Sequence, residues 1–260
     1  MNNDFEIHIS EPHDETAEPI EIELIEAEPV RVLEAKDPKT GATFEINVEK
    51  IADQMSTGNR RNKSKVNVWS SSQQGGEKGV LQIMIAKYFR DNENAKGYAE
   101  YWLKLIRAGI STIPTVWIVG EKEVLITDMT ADGSVFYGKD NVYPSFRRYE
   151  ENKMTELDGV FLSIDPEEIK ARAEEIVKKA NTNEIFLPSD DPFDILIHPD
   201  GSWEVIVLDL LSKPFSEVLE GNNSFCVDKI MSHVSHMRNA LTGQGEKPFI
   251  VLGKTVVIDS

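Results

Sequence analysis

The chain has a single cysteine, Cys226, among 260 residues, so no intramolecular disulfide can staple it. Histidine is scarce too. His8, His13, His198, His233 and His236 are scattered, and the His233/His236 pair has no third or fourth ligand at metal-binding spacing, which argues against a zinc site. No apolar run reaches the roughly 18 to 20 residues that a membrane helix needs. Positive charge is in deficit: 28 Lys and Arg stand against 45 Asp and Glu, a formal net charge of -17. That balance removes the bulk basic face by which proteins bind nucleic acid or anionic membranes. The N-terminus, Met1-Asn2-Asn3-Asp4-Phe5, lacks the basic-then-apolar order of a secretory leader. The expectation is therefore a cytoplasmic protein with neither nucleic-acid nor membrane partners.

What is present suits a folded chain. Hydrophobic residues make up 40% and charged residues 28%, enough for a core, and the length allows one cooperative unit or two small lobes. From Met1 to Val30 there are many carboxylates and no Lys or Arg, and Pro12, Pro19 and Pro29 interrupt regular structure, which reads as an acidic arm. Val30 to Ile46 reads as a hairpin around the turn Asp37-Pro38-Lys39-Thr40-Gly41. A polar basic stretch, Ser56 to Lys63, leads into the alternating segment Lys65-Val66-Asn67-Val68-Trp69, and Val80 to Ala86 reads as a buried strand ending at Lys87.

Asn94 to Arg107 places Tyr98, Trp102, Leu105 and Ile106 on one helical face, with Gly109 at the stop. Two strands follow, Thr115 to Val119 and Val124 to Thr127. The second half reads as mainly helical. Asp165-Pro166-Glu167-Glu168 gives an N-cap, a proline at the first helical position and the acid of a capping box, ahead of a stripe formed by Ile169, Ala173, Ile176, Val177 and Ala180. Asp194 to Ile197 and Trp203 to Leu208 form a hairpin around His198-Pro199-Asp200-Gly201. A last helix carries Val227, Ile230, Met231, Val234, Met237 and Leu241. No internal repeat is present.

From Ile51 to Leu241 this order of elements resembles the kinase-like fold in its aminoglycoside phosphotransferase and small-molecule kinase branch. Ile85-Ala86-Lys87 followed by Ala99-Glu100-Tyr101 looks like that family's phosphate-gripping lysine and the helical glutamate that orients it. Asp194 to Gly201 and on to Val207-Leu208-Asp209 is similar to its metal-binding hairpin, with Asp194 in the asparagine position. Two carboxylates so placed suit Mg2+. The resemblance implies an α+β, two-lobed architecture: an acidic arm over 1–29, an N-lobe of mainly antiparallel sheet with one helix over 30–128, and a mainly helical C-lobe over 129–260. It also implies ATP and Mg2+ as cofactors, with Thr127, Asp128 and Met129 as the hinge that meets the adenine.

The sequence departs from the family at the catalytic loop. Ser189 stands where the family's aspartate falls, so Asp190 or Asp191 would have to receive the acceptor proton. Two functions are compatible with these residues: an ATP-dependent phosphotransferase acting on an unknown small-molecule or protein acceptor, and a pseudokinase-like module that binds a nucleotide or protein without transfer. An acidic α+β interaction domain is a third. Acceptor and oligomeric state are left open.

Overall fold

The computed structural model describes residues 30–53, 63–70, 82–89, 94–187, 192–208, 210, 223, 225–244, 249–251 and 254–256. The acidic arm of 1–29 lies outside them. Six strands, β1 (Arg31–Lys36), β2 (Thr43–Asp53), β3 (Lys63–Ser70), β4 (Gln82–Tyr88), β5 (Val116–Gly120) and β6 (Glu123–Thr127), form a closed antiparallel barrel in the order β1-β2-β3-β4-β6-β5. The first hairpin follows from its turn chemistry. Asp37 accepts from the Lys39 amide and the Thr40 hydroxyl, and Gly41 takes a positive φ of 73° that a side chain would resist.

Period-2 alternation sorts the strand residues between two cores. Ala35, Ile46, Val48, Val66, Val68, Met84, Ala86 and Leu125 fill the barrel. Their neighbours Val116, Val124 and Ile126 face outward and join a second, larger core. Helix α1 (Ala95–Arg107) packs on that outer wall, capped by Asn94, which accepts from the Gly97 amide at 2.7 Å. Its buried face includes Tyr98, Trp102 and Leu105, as the spacing predicts, and Tyr101 as well, while the expected Ile106 is only partly buried.

The remaining elements are β7 (Val135–Tyr137), a short 3-10 turn, α2 (Val142–Glu150), α3 (Glu156–Ser163), α4 (Pro166–Thr182), β8 (Phe193–Ile197), β9 (Trp203–Val207), α5 (Phe225–Thr242), and the pair β10 (Phe249–Val251) and β11 (Lys254–Val256). The α4 stripe is buried as expected. Its cap differs in detail: Asp165 accepts from Glu167 N, while the reciprocal capping box forms at α3, between Thr155 and Asp158. Strand β7 adds to the expected β8/β9 hairpin, giving a three-stranded antiparallel sheet.

The two-lobed, kinase-like arrangement is overturned. The first sheet closes on itself, β1 returning to β5 at the pair Lys36 and Ile118. The second half carries its own three-stranded sheet besides α2 to α5, so it is not a helical lobe. The physical cause is the larger core, which runs without a break from Tyr98, Trp102 and Val116 to Ile195, Val207, Ile176 and Ile230. Polar ties reinforce that join: Thr112 donates to Val207 O at 2.8 Å, Val207 N to Ser111 O at 2.9 Å, and Tyr101 Oη to Phe186 O at 2.7 Å.

Candidate anion-binding site

Strand register builds a basic cluster on the outer barrel wall. With Val66, Val68, Met84 and Ala86 inside, alternation turns Lys63, Lys65, Ile85 and Lys87 outward. Lys63 stands directly opposite Lys87, and Lys65 opposite Ile85. Directly opposed side chains on antiparallel strands share a face with Cβ atoms about 5 Å apart.

Lys65, half-buried, forms an ion pair with a buried carboxylate. Its Nζ lies 2.7 Å from Asp128 Oδ2, and the Asp128 side chain is only 2% exposed. Oδ1 accepts from the Thr130 amide at 3.0 Å and the Thr130 hydroxyl at 2.7 Å. Burial alone would raise the Asp128 pKa, but Lys65 and Thr130 outweigh it and hold the carboxyl below its usual range. Beyond it, Asn67 Nδ2 donates to Glu49 Oε2 at 3.4 Å.

Among the expected site residues, Lys87 pairs with Val124, while Thr127 ends β6 opposite Met84, three residues along the ladder, and Asp128 and Met129 follow the strand. The first two amides of the 127–129 segment are engaged within the fold. Thr127 N donates to Thr115 O, Asp128 N to Ile83 O, and Thr130 N to the Asp128 side chain. The expected Lys87–Glu100 pair is not formed. Lys87 Nζ sits 4.4 Å from the Tyr98 ring centroid and 5.3 Å from that of Phe89, two buried rings that attract a cation by their π faces. Glu100 is 61% exposed and meets Lys96 at 3.8 Å. Two residues beyond Tyr98 on a helix, it faces away from the strand that carries Lys87.

Asp194 lies on β8 opposite Ile206, with its carboxylate packed against Gly138. A Cβ at position 138 would fall 1.4 Å from Asp194 Oδ1. Asp190, Asp191 and Asp209 lie outside the described residues. Among the described residues, no three His, Cys, Asp or Glu side chains converge as a metal-ligand set, and no helix is long and apolar enough to cross a membrane. The residue that sequence reasoning left unassigned is Lys65. Its signal was the alternation Lys65-Val66-Asn67-Val68, which sets it on the face opposite the two valines.

Comparisons of the chain with protein-family models, with curated proteins and with solved structures each return no match.

Proposed function

We propose that the chain is a nucleotide-binding module whose Lys63 and Lys87 receive the phosphates of ATP on the outer wall of the barrel. The observation that carries this reading is their direct opposition across β3 and β4, beside the Lys65–Asp128 pair, in a chain of net charge -17. A local concentration of ammonium groups against an acidic background focuses an anion at one place. Lysine suits the task as a compact point charge with rotatable donors. Binding rather than transfer is favoured because Glu100 does not orient Lys87, and an oriented lysine is part of the phosphoryl-transfer apparatus. Mg2+ would enter with the nucleotide, bound mainly by phosphate oxygens.

The test is a thermal-shift titration with ATP, with and without Mg2+, on the wild type and on Lys63→Ala/Lys87→Ala. Each charge-assisted contact is worth about 1.5–3 kcal/mol, so the double variant should bind ATP at least ~100-fold more weakly and lose its shift at millimolar nucleotide. An equal shift in both proteins would sink the assignment.

A phosphotransferase is the second reading, favoured by the glycine beneath Asp194. The φ of Gly138 is -157°, an extended backbone open to any residue, so Gly138→Ala acts only by pushing the carboxylate away. If Asp194 holds the metal for transfer, this variant should hydrolyse ATP with a kcat reduced about tenfold or more while its Kd for ATP stays within about twofold, since a contact made only in the transition state leaves ground-state binding intact. Loss of affinity in parallel with kcat would instead make Asp194 part of nucleotide binding.

A further inference from the structure

The outer wall of the barrel is covered on one side. The larger core takes Ile85, Val116, Ile118, Val124 and Ile126 from β4, β5 and β6, and among the described residues it takes none from β1, β2 or β3. On those three strands Ala35, Ile46, Val48, Val66 and Val68 fill the barrel, so alternation turns Val32, Glu34, Glu45, Asn47, Glu49 and Trp69 to the outer face. The register sets Val32 opposite Asn47 and Asn47 opposite Trp69, with Glu34 opposite Glu45 on one side of that row and Glu49 on the other. Val32 is 65% exposed and Val30, just before β1, is 55% exposed. With Ile51 on β2 they make up three of the seven large apolar side chains exposed among the described residues, so apolar surface is concentrated on this face.

Charge decides what fits it. Three carboxylates border the apolar strip, with Lys36 at the far end of β1. A second copy of the chain would bring the same carboxylates to the contact from a molecule of net charge -17, and like charges across an interface select against such a pairing. A guanidinium does the opposite, since it pairs bidentately with carboxylates and stacks on an indole face. We infer, independently of the nucleotide-binding reading, that the outer face of β1, β2 and β3 docks an arginine-bearing, β-branched segment of a partner protein.

The probe is an octapeptide of alternating arginine and valine, titrated into the full-length protein while the Trp69 indole N–H is followed by NMR. The chain has four tryptophans, and Trp69→Phe assigns the signal by its loss. Four proteins are compared: the wild type, Val30→Thr/Val32→Thr, Glu34→Gln/Glu45→Gln/Glu49→Gln, and a control with the same change in net charge on the exposed face of α4, Glu167→Gln/Glu174→Gln/Glu175→Gln. Threonine keeps the β-branch and the strand preference of valine, and circular dichroism verifies that each variant is folded. The expected result is a saturable shift of the Trp69 signal in the wild type, with a Kd raised about fivefold or more in both face variants and within about twofold in the control. Equal weakening in the control would reduce the effect to bulk charge and overturn the inference. Weakening in the glutamine variant alone would show that the carboxylates act without the apolar strip, which also overturns it. So would a Trp69 signal that does not move up to millimolar probe, or a wild-type dimer that Val30→Thr/Val32→Thr dissociates, which would give the face to a second copy.

Discussion

Asp158→Ala is expected to lower the melting temperature by about 10 °C or more, the largest loss from any single polar substitution in the described structure. The Asp158 side chain is fully buried and each of its oxygens is used. Tyr137 Oη donates to Oδ1 at 3.0 Å and the Arg148 guanidinium bridges both oxygens at 2.6 and 3.0 Å. The Thr155 amide and hydroxyl each reach Oδ2 at 2.9 Å. Truncation strands the Arg148 charge and the Tyr137 hydroxyl, which burial and the neighbouring carboxylate hold mainly in its protonated form. Breaking one partner of such a buried pair costs about 3–5 kcal/mol, and at this chain length 1 kcal/mol moves the midpoint by about 2–4 °C. A shift of less than about 2 °C would mean that the network is not worth its geometry.

The same carboxylate gives a pH signature. Burial alone would raise its pKa, but Arg148 and Thr155 win and the net direction is downward. A depressed folded-state pKa contributes stability that is present above the unfolded value of about 3.9 and is lost as pH falls through the folded one. Urea midpoints measured from pH 6 downward should fall below about pH 4, and Asp158→Asn should flatten part of that fall. Asp128, also depressed, contributes in the same direction and would account for part of the slope that remains.

The second large effect is expected at Trp102, which is 1% exposed. Its indole N–H donates to Ile113 O at 2.6 Å, and Lys39 Nζ stands 4.7 Å from the ring centroid. Trp102→Ala should cost about 3–5 kcal/mol through cavity formation, whereas Trp102→Phe keeps most of the packing and leaves the Ile113 carbonyl unpaired at about 1–3 kcal/mol. Because the larger core runs from the barrel wall into α4, β8 and α5, tryptophan fluorescence and far-UV circular dichroism should report one coincident transition in the wild type and in both variants. Separate transitions in Trp102→Ala alone would identify this ring as the joint between the halves. Separate transitions in the wild type would contradict the shared core.

Much of the local structure was legible because it is written in short-range chemistry. The Asp37 to Gly41 turn, the proline at the start of α4 and most of the buried stripes of α1 and α5 depend on residues a few positions apart. Barrel closure depends on Lys36 meeting Ile118, 82 positions apart in sequence, and nothing local marks either as a seam. Strand β7 has three residues, too few to display alternation. The Lys87–Glu100 pairing is a different case, because the sequence held the counter-evidence. The periodicity that buries Tyr98 and Trp102 turns Glu100 to solvent, so the helical face and the family pattern could not both be satisfied. Asp128 carries a side-chain interaction that the sequence reading did not foresee. Its backbone was expected to meet a ligand, while its side chain meets Lys65.

The wall formed by β4, β6 and β5 has an apolar residue on each side of nearly every pleat, and this determines how far the basic cluster can be altered. Sliding β4 by one residue would turn Met84 and Ala86 out of the barrel and Lys87 into it, a change that neither core tolerates. The opposition of Lys63 and Lys87 is thus set by the apolar residues that β3 and β4 bury, Val66, Val68, Met84 and Ala86 in the barrel and Ile85 against the larger core. Lys87 is less free to change than its register suggests, because its ammonium lies over the buried rings of Tyr98 and Phe89 and an acidic side chain there would face their π clouds. The strand register beneath this wall therefore stays fixed whichever side chain the outward positions carry.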